Sequence, residues 1–309
     1  MKQQERIGRG VQVFETWNDT SAVRCRPYAY DLSAQDFMQV NPSLWFPTAL
    51  IPLMGCSEVK VLPVENLRKI YAGHLLYFLD YTAELEVALV NKAVSCIVYG
   101  PLSKYFSASE RSTALKLYAD EGYHALFSKM MAEQVADFFE LDRHRSARLK
   151  HFDRLLASDL NHNEELVLFV MAFISETIIT RELALLVRDD LVSPVFHMLQ
   201  DHLHDEAKHS VFFSDCFVTL WGKISDVEKD VVVKMLVIGF RIFCRPDIAF
   251  VRSQLEGKGF CSASIVSQLR QGWPSRAVSL LMLTMKAIRR TDLLANKSYL
   301  RQFEIEGLV

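Results

Sequence analysis

The pattern of apolar positions divides the chain at Pro63. Beyond it lie long stretches without proline and with little glycine, in which apolar residues recur at helical spacing. They predict six main helices, at about 64–100, 107–140, 163–190, 193–221, 225–243 and 275–292. No long run alternates with the two-residue period of a strand, and no repeat of solenoid length occurs. The sequence therefore predicts an all-α helical bundle.

Local signals support several of these helix boundaries. Gly100 and Pro101 end the first long segment, and Ser107 and Glu110 have the spacing of a capping box at the start of the next. Ser193 followed by proline is typical of a helix start. The later helices are separated by Pro246, Gly257, Gly259 and Pro274.

The first part of the chain has a different character. Five prolines interrupt short apolar pieces there: Pro27, Pro42, Pro47, Pro52 and Pro63. We interpret residues 1–63 as an irregular arm, with at most one short helix, that packs over the bundle. Residues 1–309 then form a single domain, in which 64–222 are the metal-binding helical core and 223–309 supply additional packing helices.

Composition and charge exclude several classes of protein. Half of the 309 residues are hydrophobic and the formal net charge is −2, so no basic field suggests binding to nucleic acid or to an anionic membrane. The six cysteines form no CxxC pair, which is typical of reduced thiols in a cytosolic protein. No signal peptide is recognisable, and the most apolar run, 166–175, is about half the length of a membrane span. We expect a soluble, cytoplasmic protein without a membrane or nucleic-acid partner.

The stretch DHLHDEAKHSVFF, residues 201–213, concentrates titratable side chains at the edge of an apolar run. On a helix, His202, Glu206 and His209 fall within about 60° of arc. They form an inward-facing His-x-x-x-Glu-x-x-His stripe. The spacing does not match the HExxH motif of zinc proteases. Three other polar residues of the stretch are interpreted as bystanders: Asp201, His204 and Lys208.

A second helix repeats part of this pattern. Glu121 and His124 stand three residues apart, as Glu206 and His209 do, and an aspartate precedes each glutamate. One Glu-x-x-His element is a weak signal, but two on separate long helices are more specific. A carboxylate-bridged metal pair in a four-helix bundle needs both elements and one glutamate from each of two further helices.

The two remaining helices must therefore offer buried carboxylates. Glu176 lies inside the apolar segment FVMAFISETIITREL, where an isolated charge is costly unless it binds a metal or is paired. The alternative for Glu176 is a buried ion pair with Arg181. Glu164 and Glu182 are interpreted as surface charges.

The helix at 64–100 offers two glutamates. Glu86 shares its stripe with leucine, valine and alanine residues, whereas Glu84 shares a wetter stripe with Asp80 and Asn91. We therefore predict Glu86 as the ligand and keep Glu84 as the alternative.

The complete candidate metal site has four carboxylates and three imidazoles: Glu86, Glu121, His124, Glu176, His202, Glu206 and His209. Mixed nitrogen and oxygen ligation without thiolate suits iron or manganese better than structural zinc. Four carboxylates balance the charge of two divalent ions. Asp120 and Asp205 are candidate acceptors for the N–H groups of the ligating histidines.

The ligand order between residues 86 and 209 resembles that of the AurF-type arylamine N-oxygenases, typified by p-aminobenzoate N-oxygenase. Other di-iron carboxylate enzymes and ferritins lack a third histidine one turn before the second Glu-x-x-His, and His202 occupies that place here. The resemblance implies a ferritin-like bundle with a four-helix di-iron core, in which all seven residues are metal ligands.

The same resemblance implies an activity. A di-iron centre, for which manganese is an alternative metal, would use O₂ as co-substrate to oxidise an amine, typically an arylamine, to hydroxylamine, nitroso or nitro products. The chain shows no flavin or iron–sulfur signature, so the electrons are expected from an external reductase or a ferredoxin-type donor. A small-molecule substrate of secondary metabolism, as in antibiotic biosynthesis, and a homodimer are also expected.

Three other interpretations use the same residues. The metal centre can serve C-hydroxylation or another oxidation, the protein can be a non-enzymatic ferritin-like iron binder, or the clusters can be buried ion pairs in a helical scaffold. His202 counts against an iron store, because stores need labile sites.

The sequence does not define the substrate pocket. Several apolar residues are candidates for its lining, but at helical spacing they are more often core: Phe138, Phe139, Phe169, Met171, Phe173, Met198, Phe212 and Phe213. Arg181 and Arg241 are the candidates for holding an acidic substrate group. The histidines outside the site are interpreted as surface or satisfied core residues: His74, His144, His151, His162 and His197.

Overall fold

A computed structural model describes residues 8–158, 163–188, 190–255, 266–267, 269 and 273–305. Within these residues the chain is helical and contains no strand, which confirms the predicted all-α class. None of the described helices is long and apolar enough to span a bilayer. The predictions for His162, Cys261, Gly257 and Gly259 fall outside the described residues.

The long helices correspond closely to the predicted segments. They are α6 (Val64–Leu85), α7 (Asn91–Val98), α8 (Ala108–Phe139), α10 (Glu164–Leu186), α11 (Ser193–Trp221) and α12 (Asp226–Cys244). The capping box at the start of α8 is formed: Ser107 Oγ accepts from the Glu110 backbone N–H at 3.2 Å, and Glu110 Oε2 accepts from the Ser107 N–H at 2.7 Å. Helix α11 begins at Ser193 itself, preceded by Val192 without a side-chain cap.

The first predicted helix is continuous but not regular. A π-helical turn, Glu86–Val90, joins α6 to α7, and Asn91 donates its backbone N–H to the Glu86 carbonyl across that turn. π-Turns inside α-helices are found most often at functional sites. Apolar periodicity alone does not reveal the π-turn, which adds one residue to a helical turn, because the helices on both sides keep their buried faces.

The arm contains more helix than predicted. Between residues 8 and 63 it has five short α-helices, besides three 3-10 turns: α1 (Arg9–Gln12), α2 (Trp17–Thr20), α3 (Ala22–Cys25), α4 (Ala34–Phe37) and α5 (Ser57–Lys60). Helices α1 and α3 of this segment pack against α8 and α11. Single helical turns leave little periodicity, which explains why the sequence showed at most one.

Other predicted boundaries also need correction. The basic segment after α8, expected to be a connector, forms α9 (Ala147–Leu156). The helix expected at 275–292 is two helices, α14 (Trp273–Leu280) and α15 (Met282–Ile288), and the chain continues after α13 (Ile248–Ser253) and α15 to α16 (Lys297–Ile305).

The core of the bundle is built around four segments that carry the predicted ligands: the π-turn after α6, and helices α8, α10 and α11. Helix α6 packs on α8, α10 packs on α11, and α12 covers α10 from the outside. Two clusters of buried apolar residues fill this assembly, and α6, α8, α10 and α11 contribute to both. The candidate metal site therefore lies between helices that are rigidly packed on both sides.

Candidate metal centre

The seven predicted ligands come together in the middle of the bundle, and none is more than 3% exposed. They project from four segments: Glu86 from the π-turn, Glu121 and His124 from α8, Glu176 from α10, and His202, Glu206 and His209 from α11. The helical spacing that placed the last three on one stripe is realised, because His202, Glu206 and His209 are buried while His204 is exposed.

The ligand atoms form two overlapping groups. In each group, one nitrogen or oxygen atom from every residue lies within 4.8 Å of the others. The groups are Glu86, His124, His202 and Glu206, and Glu121, His124, Glu206 and His209. Glu176 joins through its Oε2, which is 3.6 Å from His209 Nδ1. Two groups that share members provide donors for two neighbouring cations.

Many of the candidate ligand atoms have no hydrogen-bond partner within the described protein, and this tests whether a metal fits. Both carboxylate oxygens of Glu86 and Glu121 are buried without a hydrogen bond, as are Glu176 Oε2, Glu206 Oε2 and both ring nitrogens of His202. Buried polar atoms are almost always satisfied in folded proteins. Orphaned oxygen and nitrogen atoms that converge without a thiolate fit two iron or manganese ions.

The pKa values of the buried glutamates and of His209 are also strongly shifted from their usual values. Burial raises the pKa of Glu86 to about 7 and that of Glu176 well above its usual value. Burial acts in the same direction on Glu206, but the charge of His209 and bonds from the histidines outweigh it and lower the pKa of Glu206. The nearby carboxylates in turn raise the pKa of His209 against its burial. The buried carboxylates and imidazoles thus shift one another's pKa values in the directions expected of groups packed together without a cation between them.

Glu86 and Glu84 differ in burial as the sequence predicted. Glu86 is 3% exposed, and its Oε1 lies 3.1 Å from His202 Nε2. Glu84 is partly exposed and pairs with Arg145 on the outside of the bundle.

Two aspartates connect α8 and α11 in a crossed arrangement. Asp120 of α8 places its Oδ2 3.3 Å from Nε2 of His209 on α11, and Asp205 of α11 places its Oδ2 3.4 Å from Nε2 of His124 on α8. Each aspartate therefore supports the histidine of the other helix, with the N–H of the ring directed at the carboxylate. Such partners fix the tautomer and orientation of a metal-ligating imidazole.

The N-terminal arm holds both aspartates in turn. The indole N–H of Trp17 donates to both oxygens of Asp120, at 2.9 and 2.8 Å. Asp205 accepts from the backbone N–H of Ala22 at 2.8 Å and from Lys208 Nζ at 3.0 Å. The prediction that Lys208 is a bystander is therefore wrong, because its ammonium group neutralises an aspartate that supports His124.

Glu176 and Glu182 of α10 have different partners. Glu176 lies against His209 rather than in an ion pair with Arg181. Glu182, expected on the surface, is only 12% exposed and accepts two hydrogen bonds from Arg148, at 2.9 and 3.1 Å. The paired guanidinium lowers the pKa of Glu182 against the effect of burial. The sequence missed this pair because its partner lies on α9, which was not predicted as a helix.

A cavity of about 260 Å³ lies between α6 and α10, and none of the seven candidate ligands is part of its wall. Its wall includes the stacked rings of Tyr77 and Phe250, whose centroids are 4.0 Å apart, and the paired Arg148 and Glu182. None of the apolar lining candidates from the sequence contributes. Seven of the eight are buried core residues, as interpreted, whereas Phe138 is 48% exposed, so the core interpretation is wrong for that residue. The arginines on this cavity are Arg148, Arg245 and Arg276, and neither Arg181 nor Arg241 lines it.

Comparison with known proteins agrees with this site. A family model described as P-aminobenzoate N-oxygenase AurF matches residues 12–292. The 4-aminobenzoate N-oxygenase of Streptomyces thioluteus is 19% identical over 232 residues, which are 73% of this chain and 69% of that protein.

Proposed function

The chain belongs to the P-aminobenzoate N-oxygenase AurF family, and from this membership we propose that it uses O₂ to oxidise the amine nitrogen of a small aromatic metabolite. Membership makes the protein a non-haem di-iron oxygenase. The proposal of amine oxidation depends mainly on the position of His202. This residue is fully buried, and its Nε2 lies 3.1 Å from Glu86 Oε1 and 3.5 Å from Glu206 Oε1. A generic di-iron bundle needs only the two Glu-x-x-His elements and two more glutamates.

The proposed ligands are the seven residues predicted from the sequence: Glu86, Glu121, His124, Glu176, His202, Glu206 and His209. Two iron ions held by them would supply the activation of O₂. The four carboxylates balance the charge of two iron(II) ions, and Asp120 and Asp205 hold two of the imidazoles in fixed orientations. The first oxidation is balanced as R–NH₂ + O₂ + 2 e⁻ + 2 H⁺ → R–NHOH + H₂O, and the donor of the two electrons is external.

Aromatic side chains keep water away from the centre. The ring of Phe127 lies 5.4 Å from the rings of both His124 and His202, and the ring of Phe14 lies parallel to that of His209 at 5.9 Å. Both phenylalanines are fully buried. A dry wall prevents side reactions of activated oxygen with water and strengthens the electrostatic interactions inside the site.

The cavity between α6 and α10 is the proposed substrate pocket. Tyr81 in its wall precedes Glu86 by five residues, and Glu182 in its wall follows Glu176 by six. At the helical rise per residue, these wall residues lie roughly 7–9 Å along the helix axes from the two candidate ligands. Arg276 approaches Glu182 at 3.7 Å and is 41% exposed, so it retains donors for another anion. A para-substituted aniline with its acid group at Arg276 would direct its amine towards the metal centre. 4-Aminobenzoate, the substrate named for the Streptomyces thioluteus protein, is the first compound to test.

The decisive experiment is product analysis on reconstituted protein. The chain is loaded anaerobically with iron(II), exposed to O₂ with 4-aminobenzoate or a series of neutral anilines, and the products are identified by mass spectrometry. We expect two iron ions per chain and N-hydroxyl, nitroso or nitro products. Ring hydroxylation with the amine intact would support the alternative di-iron chemistry. Far less than two irons or manganese ions per chain after reconstitution would contradict both.

Finer features of the proposal are tested separately. We propose a homodimer that acts in secondary metabolism and takes electrons from a separate reductase or ferredoxin-type protein, with manganese as an alternative metal. Light scattering coupled to gel filtration measures the assembly, and a mass near that of one chain would contradict the dimer.

A further inference from the structure

The proposed oxidation, on which this inference rests, consumes two electrons from outside the protein. The candidate ligands are at most 3% exposed, so a donor protein cannot touch them. The electrons must therefore cross the protein shell between the surface and the centre. Tunnelling through covalent and hydrogen bonds is faster than tunnelling across gaps, so a bonded path from the surface is favoured.

One such path leads from the arm to a ligand histidine. His209 directs Nδ1 into the centre, 2.8 Å from Glu121 Oε1, and its Nε2 lies 3.3 Å from Asp120 Oδ2. Asp120 is fully buried and accepts from the indole N–H of Trp17. Trp17 is partly exposed on α2. Two hydrogen bonds thus connect a partly exposed aromatic ring to His209, a member of the second group of ligands.

The corresponding support on the other side of the centre is different. Asp205, which holds His124, is bonded by a backbone N–H and by the ammonium group of Lys208. These donors orient an aspartate as well as an indole does, but they offer no π-system for an electron. A purely structural support therefore does not explain why Asp120 is held by a tryptophan that reaches the surface.

The surface above Trp17 is suited to an anionic partner. The guanidinium of Arg24 lies 5.9 Å and the Lys116 ammonium group 6.0 Å from the centroid of the indole ring. Exposed Glu15 and Asp19 lie on the same arm, so the surface is positive only where Arg24 and Lys116 flank the ring. Cations near an indole disfavour its oxidation, which makes the ring a bridge for tunnelling rather than a site where an electron hole resides.

We propose that Trp17, Asp120 and His209 form the route by which electrons enter, and that a small acidic iron–sulfur protein docks over Trp17. In each of two encounters the donor cluster loses one electron, which is delivered at His209. The two electrons, with two protons from solvent, match those consumed when one amine is hydroxylated. Electron-transfer encounters use small interfaces, and charge complementarity mainly accelerates their association.

The test separates the route from simple support of His209. Trp17→Phe keeps an aromatic ring but removes the N–H. The reduction of protein-bound iron(III) is followed by stopped-flow spectroscopy without amine substrate, once with a reduced [2Fe–2S] ferredoxin and once with reduced methyl viologen. We expect ferredoxin to reduce the variant about 10- to 100-fold more slowly, the loss of activity typical when an outer partner of a metal ligand is removed, because the bonded path from Trp17 to Asp120 is interrupted. Reduction by methyl viologen, the iron content and the melting temperature should not change.

Trp221→Phe is the matched control. Trp221 also donates its indole N–H to an aspartate, Asp292 at 2.6 Å, and has a lysine over its ring, but this pair does not lead to the centre. It should be reduced by ferredoxin at the wild-type rate. Equal slowing of Trp17→Phe with both reductants, or no slowing with ferredoxin, would overturn the route.

A second readout needs no iron. Association of the ferredoxin with the metal-free protein is measured by biolayer interferometry at low ionic strength. Arg24→Ala with Lys116→Ala should slow association about ten-fold. Lys234→Ala with Arg252→Ala, which removes two cations elsewhere, should leave it unchanged, and equal effects of the two pairs would overturn the docking site. If wild-type protein reduced by methyl viologen fails to oxidise any amine, the proposed function is wrong, while the reduction rates still decide the route.

Discussion

His202 and His204 stand two residues apart on α11 and have opposite environments. His202 is fully buried between Glu86 and Glu206, whereas His204 is exposed. Two helical steps turn a side chain by about 200°, so only one of the pair can face the centre. The functional inference therefore depends on a single residue whose neighbour supplies an internal control.

Replacement of these two histidines by alanine should give contrasting results. His202→Ala removes a candidate ligand from a buried group of carboxylates, and we expect at least about a ten-fold loss of iron affinity. His204→Ala should change neither iron content nor stability, within about 0.5 kcal/mol. Metal analysis after equilibrium dialysis and thermal unfolding measure both effects. Equal iron loss in the two variants would contradict the orientation of α11.

Residues around the candidate ligands hold one imidazole of α8 and one of α11 in place. The crossed pairs, Asp120 with His209 and Asp205 with His124, give each ligand-bearing helix a hold on the other. Lys208 and Trp17 then fix the aspartates from the surface side. Mutations in this outer set are expected to act through the imidazoles without contacting substrate.

At the scale of elements, the position of α10 depends on how closely α12 approaches it. At Gly239 of α12, an added Cβ would lie 2.4 Å from Ile174 Cδ1 and 3.2 Å from Met171 Sδ, both on α10. Because α10 carries Glu176, the tight contact also fixes one side of the candidate centre. Glycine is required at this position by the distance between two helices rather than by its own backbone conformation.

Gly239→Ala is therefore expected to be destabilising. Overpacking of a dense core typically costs about 1–3 kcal/mol, and for large domains each kcal/mol lowers the melting temperature by roughly 2–4 °C. Gly122→Ala is the control, since Gly122 is exposed in α8 and an added Cβ meets no atom within 4 Å. That variant should gain about 0.5–1 kcal/mol from helix propensity. Calorimetry on both variants measures the difference, and a stabilised Gly239→Ala would contradict the packing.

On the scale of the whole molecule, folding buries four carboxylates in the centre: Glu86, Glu121, Glu176 and Glu206. Within the described residues, histidines are the only basic side chains that pair with them. Burial of such charge is costly unless it is compensated. Metal ions that bind the folded chain and not the unfolded one stabilise it by mass action. The bundle is thus expected to be markedly less stable without metal than with it.

Removal and return of metal test this expectation. At an iron(II) concentration roughly a thousand times the dissociation constant, the free energy of unfolding should rise by about 4 kcal/mol. Anaerobic calorimetry of chelator-treated and iron-loaded protein measures the shift, and calcium, which prefers all-oxygen sites, should produce none. Since the same four helices contribute to both apolar clusters, we also predict one unfolding transition for residues 1–309. An unchanged melting temperature with iron would contradict the metal site, and two separate transitions would contradict the single domain.

Local periodicity explains what the sequence could predict. The burial of Glu86 rather than Glu84, and of His202, Glu206 and His209 on one stripe, follows from the rotation of each helix and the apolar residues beside it. The long helices and the capping box at Ser107 are likewise encoded within a few residues. The all-α class and the seven candidate ligands were therefore available from the chain alone.

Contacts between distant segments had to await the tertiary structure. The bond from Trp17 to Asp120 spans 103 residues and that from Ala22 to Asp205 spans 183, so no local pattern announces either. The Arg148–Glu182 pair and the cavity beside it depend on how α9 and α14 are placed against α6 and α10. The sequence by itself determined which helix faces are buried and which chemistry they carry, because the rotation of a helix is a local property. Only the packing of those helices decided what holds the candidate ligands, where a cavity forms and how the arm reaches the centre, because these depend on the sum of many long-range contacts.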